Sequence, residues 1–464
     1  MSAAPVFAVV GHPNKGKSTL VATLAQDTSV RIGREPGITT IAREFPMRID
    51  SGVLYVLVDT PGFQRPRAVL EWLQAQNPNA ADRPQAVTDF VEQHGDDPRF
   101  AAECELLLPI INGAGILYVV DGAVPYAPEY DAEMEILRWS GQPSIALINP
   151  IGSRAHVDDW SRALGQYFRV VRMLDALDAP FEQRLQVLSA FGELSQHWRE
   201  PMSRAVNVLR RTREQALHDS ANAIAELIAE AITWQVERQL GADDDAQAHQ
   251  TQLEQRYQQG LRELEGRCRQ RVEACYQHEH IERKEATLEA IDEDLFSQDT
   301  WLLFGLQRKD LARAGIAGGA LTGLGVDVLS GGGSMFLGAA LGAAIGGVSS
   351  WFSVDALAEL KVKRLPMGGR IARFGPSRND NLPYVLLGRA RAHQQLVSGR
   401  SHAQREPLEL RTQGALNVLT NEQRDGLARA CATLRKQVTG GTRARSATIA
   451  LSDTVAAILQ HEDC

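Results

Sequence analysis

One stretch near the start of the chain constrains its fold more than any other. Residues 5–10, Pro-Val-Phe-Ala-Val-Val, form a short apolar run that leads directly into Gly11-His12-Pro13-Asn14-Lys15-Gly16-Lys17-Ser18, and a helical-looking Thr19-Leu-Val-Ala-Thr-Leu follows. The pattern reads as a strand, a glycine-bearing turn and a helix. The G-x-x-x-x-G-K-S spacing has a physical meaning. Glycines at 11 and 16 let the backbone wrap a polyphosphate, successive N–H groups point inward, and the following helix adds the positive end of its dipole. Gly11, Asn14, Lys15, Gly16, Lys17, Ser18 and Thr19 are therefore candidate nucleotide-binding residues. In that arrangement Lys17 bridges the β- and γ-phosphates and the Ser18 hydroxyl faces Mg2+.

An acidic partner stands where such a loop needs one. A second buried-strand run, 53–58, ends at Asp59-Thr60-Pro61-Gly62. Asp59 then serves the Mg2+ shell, and Gly62 offers its N–H to the γ-phosphate. Further runs at 114–120, 144–148 and 168–174 end at Asp121-Gly122, Asn149-Pro150 and Asp175-Ala176, with helical stretches between them. Apolar strands alternating with helices predict an α/β domain over 1–198, a mainly parallel sheet flanked by helices with its ligand at the carboxyl ends of the strands. Residues 64–109 form a long insertion between the second and third of these strands.

Between the two motifs lies Pro36-Gly37-Ile38-Thr39-Thr40. Together, Gly-x-Pro-Asn-x-Gly-Lys-Ser, Pro-Gly-x-Thr and Asp-Thr-Pro-Gly resemble the Era and TrmE branch of small bacterial GTPases. The resemblance is specific over 5–63 and looser to about 198. It implies GTP and GDP as ligands, and Mg2+ held by Ser18, Thr39 and Asp59. Thr39 becomes the switch threonine that senses the γ-phosphate, with Thr40 the next candidate. Lys17, Thr39 and Gly62 become the candidate catalytic residues, and 31–43 and 62–75 the two switches. The resemblance also implies potassium beside the phosphates, held in part by Asn14, in place of an arginine finger. By residue type alone, Asn14 is equally a loop residue chosen for its turn tolerance.

Two positions depart from the family pattern. Phe63 follows Asp-Thr-Pro-Gly, where Ras-like enzymes carry a water-positioning glutamine. An apolar ring cannot orient water, so hydrolysis is expected to be slow, or stimulated by potassium or a partner. The base-recognition motif Asn-Lys-x-Asp is reduced to Asn149-Pro150-Ile151-Gly152, which keeps the asparagine and loses the carboxylate and the lysine. The backbone N–H of Ala176 remains a candidate for the guanine carbonyl. Losing a buried bidentate pair costs base discrimination, so the expectation of GTP over ATP rests mainly on the resemblance.

Beyond residue 181 the sequence turns helical with almost no strand signal: 181–198, 202–240 and a Glu/Gln/Arg-rich stretch at 246–294. The expected division is a mostly α-helical remainder: a long-helix region over 199–312, an apolar hairpin over 313–352, and, over 353–464, a small basic α+β segment with turn and strand character followed by two terminal helices. Over 314–352 Asp327 is the sole charge, and Gly315, Gly319, Gly323 and Gly338, Gly342, Gly346 recur every fourth residue. Such glycines share one helix face, and small-residue faces are a packing device of membrane helices. Each glycine costs a soluble helix about 1 kcal/mol relative to alanine. Two helices of roughly 24–27 Å fall slightly short of a hydrocarbon core of about 30 Å. The hairpin enters a membrane, or it is buried in a soluble domain or an oligomer interface.

Residues 361–405 carry ten basic side chains against Asp380, a net of +9 within a chain whose net charge is −8. Positive charge beside an apolar hairpin suits an anionic cytoplasmic leaflet; a nucleic-acid patch is the competing reading, weakened by the scarcity of aromatics. The sequence-based expectation is a GTP-binding switch for a helical, membrane-associated domain, with an RNA or ribosome assembly GTPase and a nucleotide-binding scaffold as alternatives. A nucleotide-dependent dimer is a further expected partner. As a whole the chain resembles bacterial proteins in which such a GTPase is fused to a C-terminal domain of unknown function.

Cys104, Cys268, Cys275, Cys431 and Cys464 make no paired spacing and fit a reducing compartment. Cys268, Cys275, His278 and His280 lie close together without a C-x-x-C, on what reads as a solvated helix face. Residues 1–10 lack a basic leader and their apolar run is too short for a signal sequence. The protein is expected in the cytoplasm, associated peripherally or through the hairpin with the inner membrane.

Overall fold

Strand β1 (Val6–Val10) alternates its side chains between two cores, and this organises the N-terminal half of the chain. Phe7 and Val9 belong to one buried cluster, Ala8 and Val10 to another. Burial on both faces is why the strand reads as an unbroken apolar run. The structure, a computed structural model, describes residues 4–26, 39–49, 52–240, 247–278, 352–356, 361–362, 365–366, 370–377, 379–400, 403, 419–437 and 445–460. It divides into two compact units, Met1–Thr212 with Gly399–Glu406, and Arg213–Ser398 with Pro407–Cys464.

In the first unit, β1 is followed by α1 (Lys17–Ala25), β2 (Arg43–Ile49) and β3 (Gly52–Asp59). After them come β4 (Gly115–Asp121), β5 (Ser144–Asn149) and β6 (Val171–Met173), in a six-stranded sheet of order β2-β3-β1-β4-β5-β6. All neighbours are parallel except β2, an antiparallel edge strand. The expected strands are present; β2 was not foreseen, because Arg43, Glu44 and Arg48 break its apolar pattern.

The insertion is a wall of the core. Helices α2 (Pro66–Ala75), α3 (Arg83–His94) and α4 (Ala101–Ile111) bring Val69, Leu73, Phe90, Leu106 and Ile110 into one cluster with Ala8, Val10, Ile116 and Tyr118. Helices α5 (Glu129–Trp139) and α6 (Val157–Leu164) complete that face, while α1 and α7 (Phe181–Leu194) cover the other.

Helix α8 (Gln196–Ala231) begins in the first unit and continues into the second. In the second unit its later turns share one core with α9 (Gln250–Cys275), α10 (Leu382–Gly399), α11 (Asn421–Gln437) and α12 (Arg445–Gln460). Here the structure corrects the helical reading at the end of 202–240, while strands in the basic segment agree with the α+β character expected of it. Residues 236–240, read as helix, form β7 (Val236–Leu240), which pairs with β11 (Arg370–Phe374), and β11 pairs with β8 (Phe352–Ala356). Two short strands, β9 (Lys361–Val362) and β10 (Leu365–Pro366), pair with each other. The solvated-face reading of the cysteine cluster is also corrected: Cys268 lies inside this core with Leu264 and Val272, and burial pushes its thiol up to about 12. His280 lies outside the described residues.

The basic segment differs most from expectation. Its second half is helix α10, buried along most of its length by Leu382, Val385, Leu386 and Val397. Arg389 is 2% exposed, and its Nε and Nη2 donate to Glu265 at 2.6 and 3.3 Å. Arg391 and Arg400 are buried, and Arg373 Nε donates to Glu237 at 2.8 Å. These four cations lie inside or are already paired, so the net of +9 overstates what an anionic surface would meet. Replacing Arg389 by alanine leaves the buried Glu265 with Arg269, whose Nη2 donates to it at 3.3 Å, and we expect the loss of the buried partner to cost about 3 kcal/mol of stability, read as a lower urea midpoint. A loss below about 1 kcal/mol would place this pair among exposed salt bridges. The glycine-rich hairpin lies outside the described residues over 313–351, and its last residue, Phe352, opens β8. Among the described residues no helix is long and apolar enough to cross a membrane.

Candidate functional site

The loop between β1 and α1 takes its shape from backbone geometry. Gly11 has φ +140°, and a Cβ there would lie 2.4 Å from the Val119 carbonyl oxygen, so only glycine lets the loop leave β1 so close to β4. Asn14 is left-handed at φ 61°, and Gly16, at φ 82°, caps α1. The turn tolerance foreseen for Asn14 is thus used.

Lys17 folds back under this loop. Its Nζ donates to the carbonyls of Gly11 at 3.1 Å and His12 at 2.9 Å. Burial pulls its pKa down to about 8, against the opposing pull of the Asp59 and Glu133 charges. The ammonium is therefore held inside the loop rather than in solvent.

At the end of β3, Asp59 gathers the other predicted residues. Ser18 Oγ donates to its Oδ2 at 2.8 Å, Thr39 Oγ1 donates to the same oxygen at 3.1 Å, and the two hydroxyls are 3.5 Å apart. Thr40, the second candidate, is exposed. The other Asp59 oxygen, Oδ1, is buried without a hydrogen-bond partner. Burial raises the Asp59 pKa, opposed by the Ser18 hydrogen bond and the Lys17 charge. Two hydroxyls and a carboxylate with an unused buried oxygen are a hard-oxygen donor set that fits Mg2+.

Beyond Asp59, Gly62 lies against the loop: a Cβ would fall 2.5 Å from Pro13 N. Phe63 donates its N–H to the Gly11 carbonyl at 3.4 Å while its ring is 0% exposed, inside the core. It occupies no position from which a side chain meets water.

At the end of β5, Asn149 ties three segments together. Its Nδ2 donates to the Lys15 carbonyl at 3.3 Å, and its Oδ1 accepts the Ala176 N–H at 3.1 Å. The Ala176 N–H, read from sequence as a donor to the base, is thus committed to Asn149 here. Among the described residues nothing lies within 4 Å of a Cβ built on Gly152, and none of their side chains replaces the missing carboxylate at that position.

Several residues of this region were not foreseen. Lys15 Nζ is 4.0 Å from Asp121 Oδ2, and buried Glu133 accepts from Tyr118 OH and lies 2.9 Å from His12 Nδ1. Glu103 Oε1 accepts the N–H groups of Gln64 at 2.8 Å and Arg65 at 2.5 Å, and Glu105 Oε2 that of Ala42 at 3.0 Å. The one sequence signal for the last two is a pair of glutamates in the otherwise apolar run of α4.

Known proteins place both halves of the chain. Residues 6–149 match the family model described as 50S ribosome-binding GTPase. Residues 161–457, more than half of the chain, match the domain of unknown function DUF3482. The chain belongs to the DUF3482 family. In this family member the GTPase-type domain therefore precedes and adjoins the domain that defines the family. GTPase Der from Mycoplasma pneumoniae is 38% identical over 69 residues, 15% of this chain and 15% of that protein. GTPase Der from Desulforudis audaxviator is 31% identical over 162 residues, 34% of this chain and 29% of that protein. The chain thus spans less than a third of these relatives. A crystal structure of Aquifex aeolicus Era bound to GDP.AlF4- aligns over 59% of this chain and 89% of that one, at 14% identity and a TM-score of 0.29.

Proposed function

We propose that the first unit binds GTP with Mg2+ and hydrolyses it slowly, as a switch for the helical second unit. The observation that carries this reading is the convergence of Ser18 and Thr39 on one oxygen of Asp59, beside a buried Lys17. Ser18, Thr39 and Asp59 would hold the ion, which supplies charge neutralisation at the phosphates. Lys17, already turned into the loop, meets the β- and γ-oxygens. Thr39 bridges switch and metal site, so its contact reports whether a γ-phosphate is present. The Gly62 N–H faces the γ-phosphate from beside Pro13.

With the Phe63 ring in the core, the attacking water is left to backbone groups, a cation or a partner. Potassium beside Asn14 is part of this proposal and is supported by the resemblance. Phosphate release by the full chain, followed in potassium against sodium with GTP and with ATP, tests it. We expect GTP to turn over faster in potassium, by about tenfold or more. Equal rates in both salts would remove the cation, and equal rates with ATP would remove the guanine preference. Asn149 is committed to Lys15 and Ala176 rather than paired with a carboxylate, so that preference should be narrower than a bidentate pair would give.

We further propose that the second unit meets an anionic cytoplasmic membrane surface through 313–352, because Asp327 is the single charge over 314–352. Flotation of the full chain with anionic liposomes, with and without 313–352, is the test. Flotation that needs the segment supports the proposal; a chain that stays at the bottom in every nucleotide state refutes it. The competing reading, a ribosome-directed GTPase, draws on the description of the family matched over 6–149 and on the burial of Arg389, Arg391 and Arg400 and the pairing of Arg373 with Glu237, basic side chains that a membrane would need.

A further inference from the structure

Helix α4 carries two carboxylates that end on different switches. Glu103 Oε1 takes the N–H groups of Gln64 and Arg65, the residues directly after Gly62-Phe63. Those N–H groups open α2, where the helix itself offers no acceptor, and a negative charge there also suits the helix dipole. Glu105 Oε2 takes the N–H of Ala42, three residues after Thr39 and immediately before β2. Successive helical residues are rotated by about 100°. Side chains two apart therefore leave the axis in nearly opposite directions, and α4 reaches both segments at once. Hydrogen bonds to ionised acceptors are about twice as strong as neutral ones, so neither segment shifts without disturbing α4.

A second feature singles out Glu103. It is 0% exposed, and its other oxygen, Oε2, is buried without a hydrogen-bond partner. A native buried acceptor left unused calls for an explanation. One oxygen holds two switch amides, and the other is left unused beside them. Phe63, anchored in the same core as Leu106 and Ile110 of α4, gives the second switch an apolar tie to this helix as well.

We infer that α4 is the mechanical link between the two switches, with Glu103 and Glu105 acting as positioning residues that hold Gly62 and Thr39 in one mutual arrangement. The inference rests on the GTPase reading for its consequence in turnover, and on geometry alone for the link itself. Nothing in the P-loop motif supplies this coupling; it belongs to the insertion over 64–109.

The test compares the full-length wild type with Glu103→Ala and Glu105→Ala, and with the milder Glu103→Gln and Glu105→Gln, which keep an acceptor oxygen. Amide hydrogen exchange is followed on peptides covering 40–44 and 62–67, without nucleotide and with GDP. A link requires a cross-effect: Glu105→Ala should speed exchange at 64–65 by fivefold or more, and Glu103→Ala should do the same at Ala42. Single-turnover GTP hydrolysis should fall at least tenfold in each alanine variant and recover in part in the glutamine ones, with GDP affinity within threefold of wild type. If each substitution loosens only its own amide, α4 holds two independent contacts and the inference is overturned. Should buried Glu103→Ala fail to fold, the Glu105 variants alone decide the cross-effect. A wild type that hydrolyses no GTP would defeat the proposed function while leaving the exchange cross-effect to be scored.

Discussion

Replacing Lys17 by alanine should weaken GDP binding by about a hundredfold or more while the protein stays folded. The ammonium is buried in the loop by two carbonyls, at 3.1 and 2.9 Å, and lies near the Asp59 charge. Bound phosphates would exchange those neutral acceptors for charged oxygens. Hydrogen bonds to charged groups are worth about 1.5–3 kcal/mol each, and one to two of them lost accounts for the hundredfold. Stability should change little, because the Gly11 carbonyl keeps the Phe63 N–H as a donor and His12 is half-buried. Titration with a fluorescent GDP analogue measures the effect, and a dissociation constant within threefold of wild type would remove Lys17 from the site.

Replacing Gly62 by alanine should separate binding from turnover. Its Cβ would lie 2.5 Å from Pro13 N and 2.7 Å from Pro13 Cδ, and neither backbone can give way cheaply. Either the phosphate loop or the segment carrying Gly62 must move by a sizeable fraction of an ångström. The substitution leaves Lys17, Ser18 and Asp59 in place, so GDP affinity should fall by less than about tenfold. The N–H expected to meet the γ-phosphate is displaced, and a misplacement of about 1 Å costs on the order of a hundredfold in rate. Single-turnover hydrolysis should drop by about that factor. An unchanged rate would mean that the approach of Gly62 to Pro13 has no part in the reaction.

The phosphate site was legible in the sequence because its chemistry is local. Gly11, Gly16, Lys17 and Ser18 lie within eight residues, and their spacing dictates where the backbone turns. Asp59 and Asn149 were legible because each ends an apolar strand whose two faces are covered, which makes the run continuous and its end visible. Contacts made across the chain were not. Glu103 reaches Gln64 over 39 residues and Glu133 reaches His12 over 121, and no periodicity records such a pairing.

The same contrast holds in the second unit. Residues 236–240, Val-Glu-Arg-Gln-Leu, read as part of a polar helix. Their partner strand lies more than a hundred residues away, and Glu237 pairs with Arg373 in the register of β7 and β11. Strand propensity is weak when charges occupy the inner positions, so tertiary pairing decided the structure there. Charge counts misled in a related way. The ten basic residues of 361–405 look like a surface patch until α10 turns Arg389 inward to meet Glu265.

Equilibrium binding of fluorescent GDP to the full-length protein, with Mg2+ and with chelator, and with ADP as the parallel ligand, goes most directly to whether Asp59, Ser18, Thr39 and Lys17 form a guanine-nucleotide and metal site. The expected result is saturable GDP binding that weakens by tenfold or more when Mg2+ is removed, with ADP bound more weakly than GDP. Binding indifferent to Mg2+, or no binding of either nucleotide by folded protein, would contradict it.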